Sequence, residues 1–135
     1  MQGSLEGIRV FIVDDDEDNR EMLECFLVDQ GAEVRAADGA DLARSTLETW
    51  MPDVLLIDLT LEGEDGCELL TSLRANHATR DVPAIAVTGH TEAAVRERAE
   101  RAGFQKHMAK PIELGDVVSA IVGLTSERAA RATAT

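Results

Sequence analysis

Apolar residues recur along this chain with two different periods. Residues 8–13, 34–37, 54–57 and 84–87 are short, largely apolar runs, the pattern of strands covered on both faces, and 104–109, apolar at Phe104, Met108 and Ala109, reads as a fifth strand-like run. Between them the apolar positions take the three- and four-residue spacing of a helix face. Met22, Leu23, Phe26 and Leu27 form the first stripe, which Gly31 stops. Leu42, Ala43, Thr46, Leu47 and Trp50 form the second, with Asp38 placed to cap it and Pro52 just beyond. Leu69, Leu70 and Leu73 mark the third, and Pro83 opens the fourth strand. The stripe over 91–102 is only Ala94, Val95, Ala99 and Ala102. Such small side chains bury little area, which predicts a weakly docked, mobile helix. Leu114, Val117, Val118, Ile121 and Val122 form the most regular stripe. This alternation predicts one α/β domain, a doubly wound five-stranded parallel sheet with five helices. Residues 1–7 read as a leader, 8–124 as the domain, and 125–135, which lack apolar anchors, as a frayed tail.

Four of the strand-like runs end on polar residues: Asp14-Asp15-Asp16, Asp58, Thr88 and Lys110-Pro111. In a parallel sheet their carboxyl ends share one edge, where open α/β sheets bind ligands. The set suits a divalent cation and a phosphoryl group. Hard oxygen donors favour Mg²⁺ or Ca²⁺ over Zn²⁺. A carboxylate can accept a phosphoryl group, and an ammonium neutralises the oxygens involved. Taken singly, each residue has a plainer account. Asp16, Glu17 and Asp18 precede a helix and favour its positive end. Asp58 alone is an ordinary turn residue, and Thr88 is a common strand residue. Capping does not explain Asp14 and Asp15, whose adjacent charges repel unless a cation sits between them. A calcium loop starting at Asp14 requires Gly at its sixth position and Glu at its twelfth, where this chain has Asn19 and Cys25.

Charge narrows the field. Thirteen Lys and Arg against 26 Asp and Glu give a net charge of −13, which argues against direct binding of a phosphate backbone. Lys106 and Lys110 are the only lysines, so Lys110 is not one of many surface amines. Cys25 and Cys67 lack metal-type spacing and suit a reducing compartment. No signal peptide or membrane-length apolar stretch is present, so a cytoplasmic protein without membrane contact is expected.

Asp14-Asp15, Asp58, Thr88 and Lys110-Pro111, in this order, resemble the receiver domain of two-component response regulators. Asp65-Gly66, Gly89 and Gly103-Phe104 add to the resemblance, which covers roughly residues 8–124. It implies a flavodoxin-like sheet of order 2-1-3-4-5. It further implies that Asp58 is the phosphoacceptor. Asp15 and Asp58 then bind Mg²⁺ through side chains, Asp14 mainly through water, and Thr60 through its backbone carbonyl. Lys110 contacts the phosphoryl group, Thr88 moves its hydroxyl towards it, and the side chain at 107 changes rotamer. The donor is a sensor histidine kinase or a histidine phosphotransfer protein, and the receiver is not a turnover enzyme.

The chain departs from the family in places. His107 stands where Tyr or Phe is usual, and Leu61-Glu62 where Met-Pro is frequent. Losing that proline loosens the acceptor loop and adds a charge near the metal. By the same resemblance, Thr60 and His90 occupy positions that tune phosphate lifetime. Two other functions compete. A haloacid-dehalogenase-type phosphatase also uses an Asp nucleophile and Mg²⁺, but its Asp-x-Asp-x-Thr signature would place Asp18 where Thr is required. A docking module with the fold but no phosphate control is the other.

Overall fold

The computed structural model describes residues 3–90 and 92–133; Thr91 and the two residues at each chain end lie outside them. Strands β1 (Arg9–Val13), β2 (Glu33–Ala37), β3 (Val54–Asp58), β4 (Ala84–Thr88) and β5 (Lys106–Ala109) alternate with helices α1 (Glu17–Asp29), α2 (Ala40–Leu47), α3 (Gly66–Ala75), α4 (Ala93–Ala102) and α5 (Leu114–Thr133). The strands are all parallel and lie in the order β2-β1-β3-β4-β5. This is the expected doubly wound, flavodoxin-like layout.

Side-chain alternation along the strands divides the core into two layers. Phe11, Val13, Leu55, Ile57 and Ala86 pack with Leu47 of α2, Leu70 of α3 and Ala99 of α4. Val10, Ile12, Leu56, Ile85 and Val87 pack with Leu23 and Leu27 of α1 and with Val117 and Ile121 of α5. Every residue of β3 and β4 is buried, which is why both strands are apolar up to their last residues, Asp58 and Thr88.

Several local expectations need correction. Met22 and Leu42 are exposed, each one position off its helix's buried face. Helix α2 is capped at Gly39 with no side-chain hydrogen bond, so Asp38 does not cap it. Trp50 lies past the end of α2 and packs beside Phe11, ring centroids 6.2 Å apart. In α4 only Ala99 is buried, Val95 and Ala102 are partly covered, and Ala94 is exposed. Leu5, in the stretch read as a leader, is fully buried among the α1/α5 layer, and its N–H donates to the Gln30 carbonyl at 2.9 Å. Residues 125–133, read as a frayed tail, continue α5. Ala, Arg and Glu are good helix formers, and Arg128 reaches back to the Asp53 carbonyl at 3.4 Å. Among the described residues no helix is long and apolar enough to cross a membrane.

Candidate functional site

Chains leave β1 and β3 towards opposite faces of the sheet, and a crevice opens between their carboxyl ends. The two strands pair with Val13 opposite Ile57, so Asp14 and Asp58 follow side by side at that edge. Both carboxylates are only 3% exposed. Asp58 uses both oxygens: Oδ1 accepts the Thr60 N–H at 2.8 Å and Oδ2 accepts from Lys110 Nζ at 2.5 Å. The Asp14 carboxylate accepts the Asp16 N–H at 2.9 Å, and its carbonyl accepts from the Arg20 guanidinium at 2.8 Å. Asp15 is exposed, and its Oδ2 accepts the Glu62 N–H at 3.1 Å. Carboxylate oxygens of Asp14, Asp15 and Asp58 all lie within 4.8 Å of one another. Asp16 is not among them; it caps α1 by accepting the Asn19 N–H at 3.1 Å. The triplet therefore divides into one cap and two residues of the cluster.

Strands β4 and β5 complete the crevice. Thr88 is 1% exposed, and its Oγ1 accepts the His90 N–H at 3.0 Å. Its carbonyl accepts the Lys110 N–H at 2.9 Å, which holds the lysine at the sheet edge, followed by a cis bond to Pro111. Thr60 and His90 are exposed, each two residues beyond a site residue. His107 is not in the crevice. It lies on β5 beside Ala99 of α4 and Phe104, half-buried, with its Nε2 buried and without a hydrogen-bond partner among the described residues.

The electrostatics follow from this crowding. Burial pushes the Asp14 carboxyl up, and the neighbouring Asp58 and Asp15 charges push the same way; the Asp16 N–H and Lys110 offset only part. Burial works against the Lys110 ammonium, but its bond to Asp58 and the attraction of all three carboxylates outweigh it, so its pKa is raised and it stays charged. Three carboxylates against one ammonium leave surplus negative charge in a largely buried crevice. An oxygen-only donor set with that surplus fits a hard divalent cation of the Mg²⁺ type.

The loop from Leu59 to Asp65 is better held than the missing proline suggests. Leu59 and Leu61 are buried, and the Gly66 N–H donates to the Leu59 carbonyl at 3.1 Å. Gly66 begins α3 directly against the strand end: a Cβ there would sit 2.5 Å from the Asp58 carbonyl oxygen. Sequence reasoning missed Arg20, which grips the Asp14 backbone, and Arg44, which grips Glu64. Arg20 was findable in principle, since it falls on the first turns of the helix that follows the acidic triplet. Arg44 carried no local signal.

Comparison with known proteins agrees with this geometry. The chain is 34% identical to the transcriptional regulatory protein PrrA of Mycobacterium leprae over 134 residues, which is 98% of this chain and 56% of PrrA. It thus spans little more than half the length of that relative. A CheY-like response regulator receiver domain protein from Methanospirillum hungatei superposes with a TM-score of 0.86 at 25% identity, covering 92% of this chain and 98% of that one. The receiver domain of sensor histidine kinase PA1611 from Pseudomonas aeruginosa superposes with a TM-score of 0.82 at 26% identity, covering 89% and 98%. Its structure has a magnesium ion coordinated in the active site cleft. The model of the response regulator receiver domain matches residues 10–122, so strand order, acidic crevice and sequence agree that this chain belongs to the response regulator receiver domain family.

Proposed function

We propose that this receiver takes a phosphoryl group from a phosphohistidine of a sensor histidine kinase or histidine phosphotransfer protein onto Asp58. The observation that carries the reading is the buried Asp58 carboxylate, ion-paired to Lys110 at 2.5 Å, in one crevice with Asp14 and Asp15. An Asp58 oxygen attacks phosphorus, the P–N bond breaks, and the imidazole leaves and takes up a proton. Asp15 and Asp58 side chains and the Thr60 carbonyl would hold Mg²⁺, with Asp14 acting mainly through water. When bound, the ion neutralises phosphoryl oxygens during transfer. Lys110 exchanges its Asp58 contact for one to the phosphoryl group. Thr88 turns its hydroxyl from the His90 N–H towards the new oxygens, and His107 follows by changing rotamer. Thr60 and His90 flank the phosphoryl group and set its lifetime.

The added charge then biases α4 and β5, the thinly covered elements at that edge. The output is a partner protein. Control of transcription would fit the relative named as a transcriptional regulatory protein, while the acidic surface of this chain disfavours direct contact with a phosphate backbone. A reducing cytoplasmic setting accords with two unpaired cysteines. The dehalogenase-type reading needs Asp16 beside Asp14 in the site, and Asp16 instead caps α1.

The test is intact-protein mass after incubation with Mg²⁺ and acetyl phosphate. Wild type gains one phosphoryl group only with Mg²⁺, and Asp58→Asn gains none. An equal gain in Asp58→Asn would refute the assignment.

A further inference from the structure

We propose that Arg44, on α2 and outside the crevice, is a positioning residue for the cation site; the inference rests on the functional reading above. Its guanidinium meets Glu64 of the acceptor loop as a two-pronged fork. NH1 donates to Oε1 at 3.1 Å and NH2 to Oε2. Nε and NH2 also donate to Ser72 Oγ of α3, both at 3.1 Å, and that hydroxyl donates to the Leu69 carbonyl at 2.7 Å. Arg44 and Glu64 side chains are 35% and 27% exposed, so the fork is partly shielded from water. A single side chain thus ties α2, the acceptor loop and α3 together.

The two halves of the loop are held by different means. Leu59 and Leu61 point into the core and fix the first half, leaving Thr60 and Glu62 outward. The second half turns at Gly63, whose φ of +87° is open to glycine without strain. No apolar anchor follows until α3. Here the chain is fixed by polar contacts: Glu64 by Arg44, and Asp65 by capping α3 and pairing with Arg98 of α4. Between the two halves sits Glu62, whose N–H donates to the Asp15 carboxylate at 3.1 Å.

That hydrogen bond transmits the positioning. It orients Asp15, a residue of the acidic cluster in the turn after β1, from the acceptor loop. Freeing Glu64 loosens the segment that carries the Glu62 N–H, and Asp15 loses its second point of attachment. Arg44 therefore acts through Glu64 and Glu62 on a cluster oxygen it does not touch. A point charge cannot replace it, because a lysine offers no planar fork and cannot reach Glu64 and Ser72 with parallel N–H groups.

The experiment is a Mg²⁺ titration by amide NMR on wild type, Arg44→Met, Arg44→Lys, Glu64→Gln and the exchanged pair Arg44→Glu with Glu64→Arg. Urea midpoints and acetyl phosphate labelling rates are measured alongside. Partners that orient metal ligands typically matter by tenfold or more, so Arg44→Met weakens Mg²⁺ binding by about tenfold. Arg44→Lys does not rescue it, Glu64→Gln weakens it in the same direction, and the exchanged pair recovers part of the loss. Labelling slows in parallel. Should Arg44→Met unfold, Glu64→Gln carries the test, since it keeps size and removes only the charge. Wild-type Mg²⁺ affinity in folded Arg44→Met or in Glu64→Gln, or affinity loss that tracks the urea midpoint alone, overturns the positioning role. A wild type that binds no Mg²⁺ overturns the functional reading itself, and this inference with it.

Discussion

Replacing Gly66 with alanine sets two effects against each other. Alanine favours a helix over glycine by about 0.8–1 kcal/mol in the interior and less at the first position, where Gly66 stands. Against this, the new Cβ would lie 2.5 Å from the Asp58 carbonyl oxygen, 2.9 Å from Ile57 Cγ2 and 3.0 Å from Leu59 Cα. Ordinary contact begins near 3.4 Å, so the start of α3 must retreat by about 0.9 Å, the difference between 3.4 and 2.5 Å. Two of the three obstacles are backbone atoms of the buried end of β3 and of the buried residue that follows it, and they cannot swing aside. Overpacking of this kind costs about 1–3 kcal/mol. The steric term wins, with a net loss of about 1–2 kcal/mol. With a typical urea slope, the midpoint falls by roughly 0.5–1 M. The obstacle is the acceptor residue's own carbonyl, so the shift also moves Asp58 against Thr60 N–H and Lys110, now at 2.8 and 2.5 Å. Misplacement on the order of 1 Å at a reacting group can cost up to about a hundredfold in rate. Urea denaturation and the initial rate of acetyl phosphate labelling read the two effects separately. A variant as stable as wild type that labels at the same rate would refute the argument, because helix propensity would then have outweighed the contact.

Two further outcomes follow from the crevice charges. Asp14→Asn stabilises the protein in EDTA and shrinks the stability gained on adding Mg²⁺. A like-charge pair near 4.8 Å repels by roughly 3.5 kcal/mol at an effective dielectric of about 20, and Lys110 offsets most of it, so a gain of about 1 kcal/mol is expected. The Asp14 pKa is raised above its ordinary 3.8, so its ionisation weakens the fold increasingly as pH climbs from 3.8 through the folded pKa, and fully above it. The advantage of asparagine is therefore complete at neutral pH and disappears below 3.8; a variant less stable than wild type in EDTA at pH 7 contradicts this. Lys110→Ala removes the cation from a carboxylate that is 3% exposed. The lysine side chain is 30% exposed and Asp58 keeps the Thr60 N–H, so about 2 kcal/mol is lost rather than the full cost of breaking a buried pair. The variant still folds, and NMR of its beryllofluoride complex lacks the changes in α4 and β5 that the wild-type complex is expected to show; a full response would remove Lys110 from the switch.

The acidic pair, Asp58, Thr88 and Lys110 were legible because each sits immediately after a run whose period announces a strand. Once strands are parallel, position at a strand's end becomes position in space, so five residues spread over nearly a hundred positions share one crevice. His107 shows the limit of that logic. Its place on β5 was readable, but the strand's pleat turns it towards α4, away from Asp58. Met22, Leu42 and Ala94 show another. A stripe of four or five apolar residues is wider than the face that a helix buries, and which margin meets the sheet depends on the crossing angle.

Contacts distant in sequence decided what the local pattern did not show. Leu5 lies in the stretch read as a leader, yet it is fully buried among the apolar residues of the α1/α5 layer, with its N–H on the Gln30 carbonyl. Sequence alone determined the strand–helix alternation, the fold class and the residues that converge at the sheet edge, because periodicity and strand-end polarity are local properties. Tertiary structure alone decided the division of the aspartate triplet between cap and cluster, the close approach of Gly66 to Asp58, and the fork of Arg44 on Glu64. Those depend on partners brought together from separate elements, as with the 20 residues between Arg44 and Glu64, and a one-dimensional pattern holds no record of which exposed charge faces which.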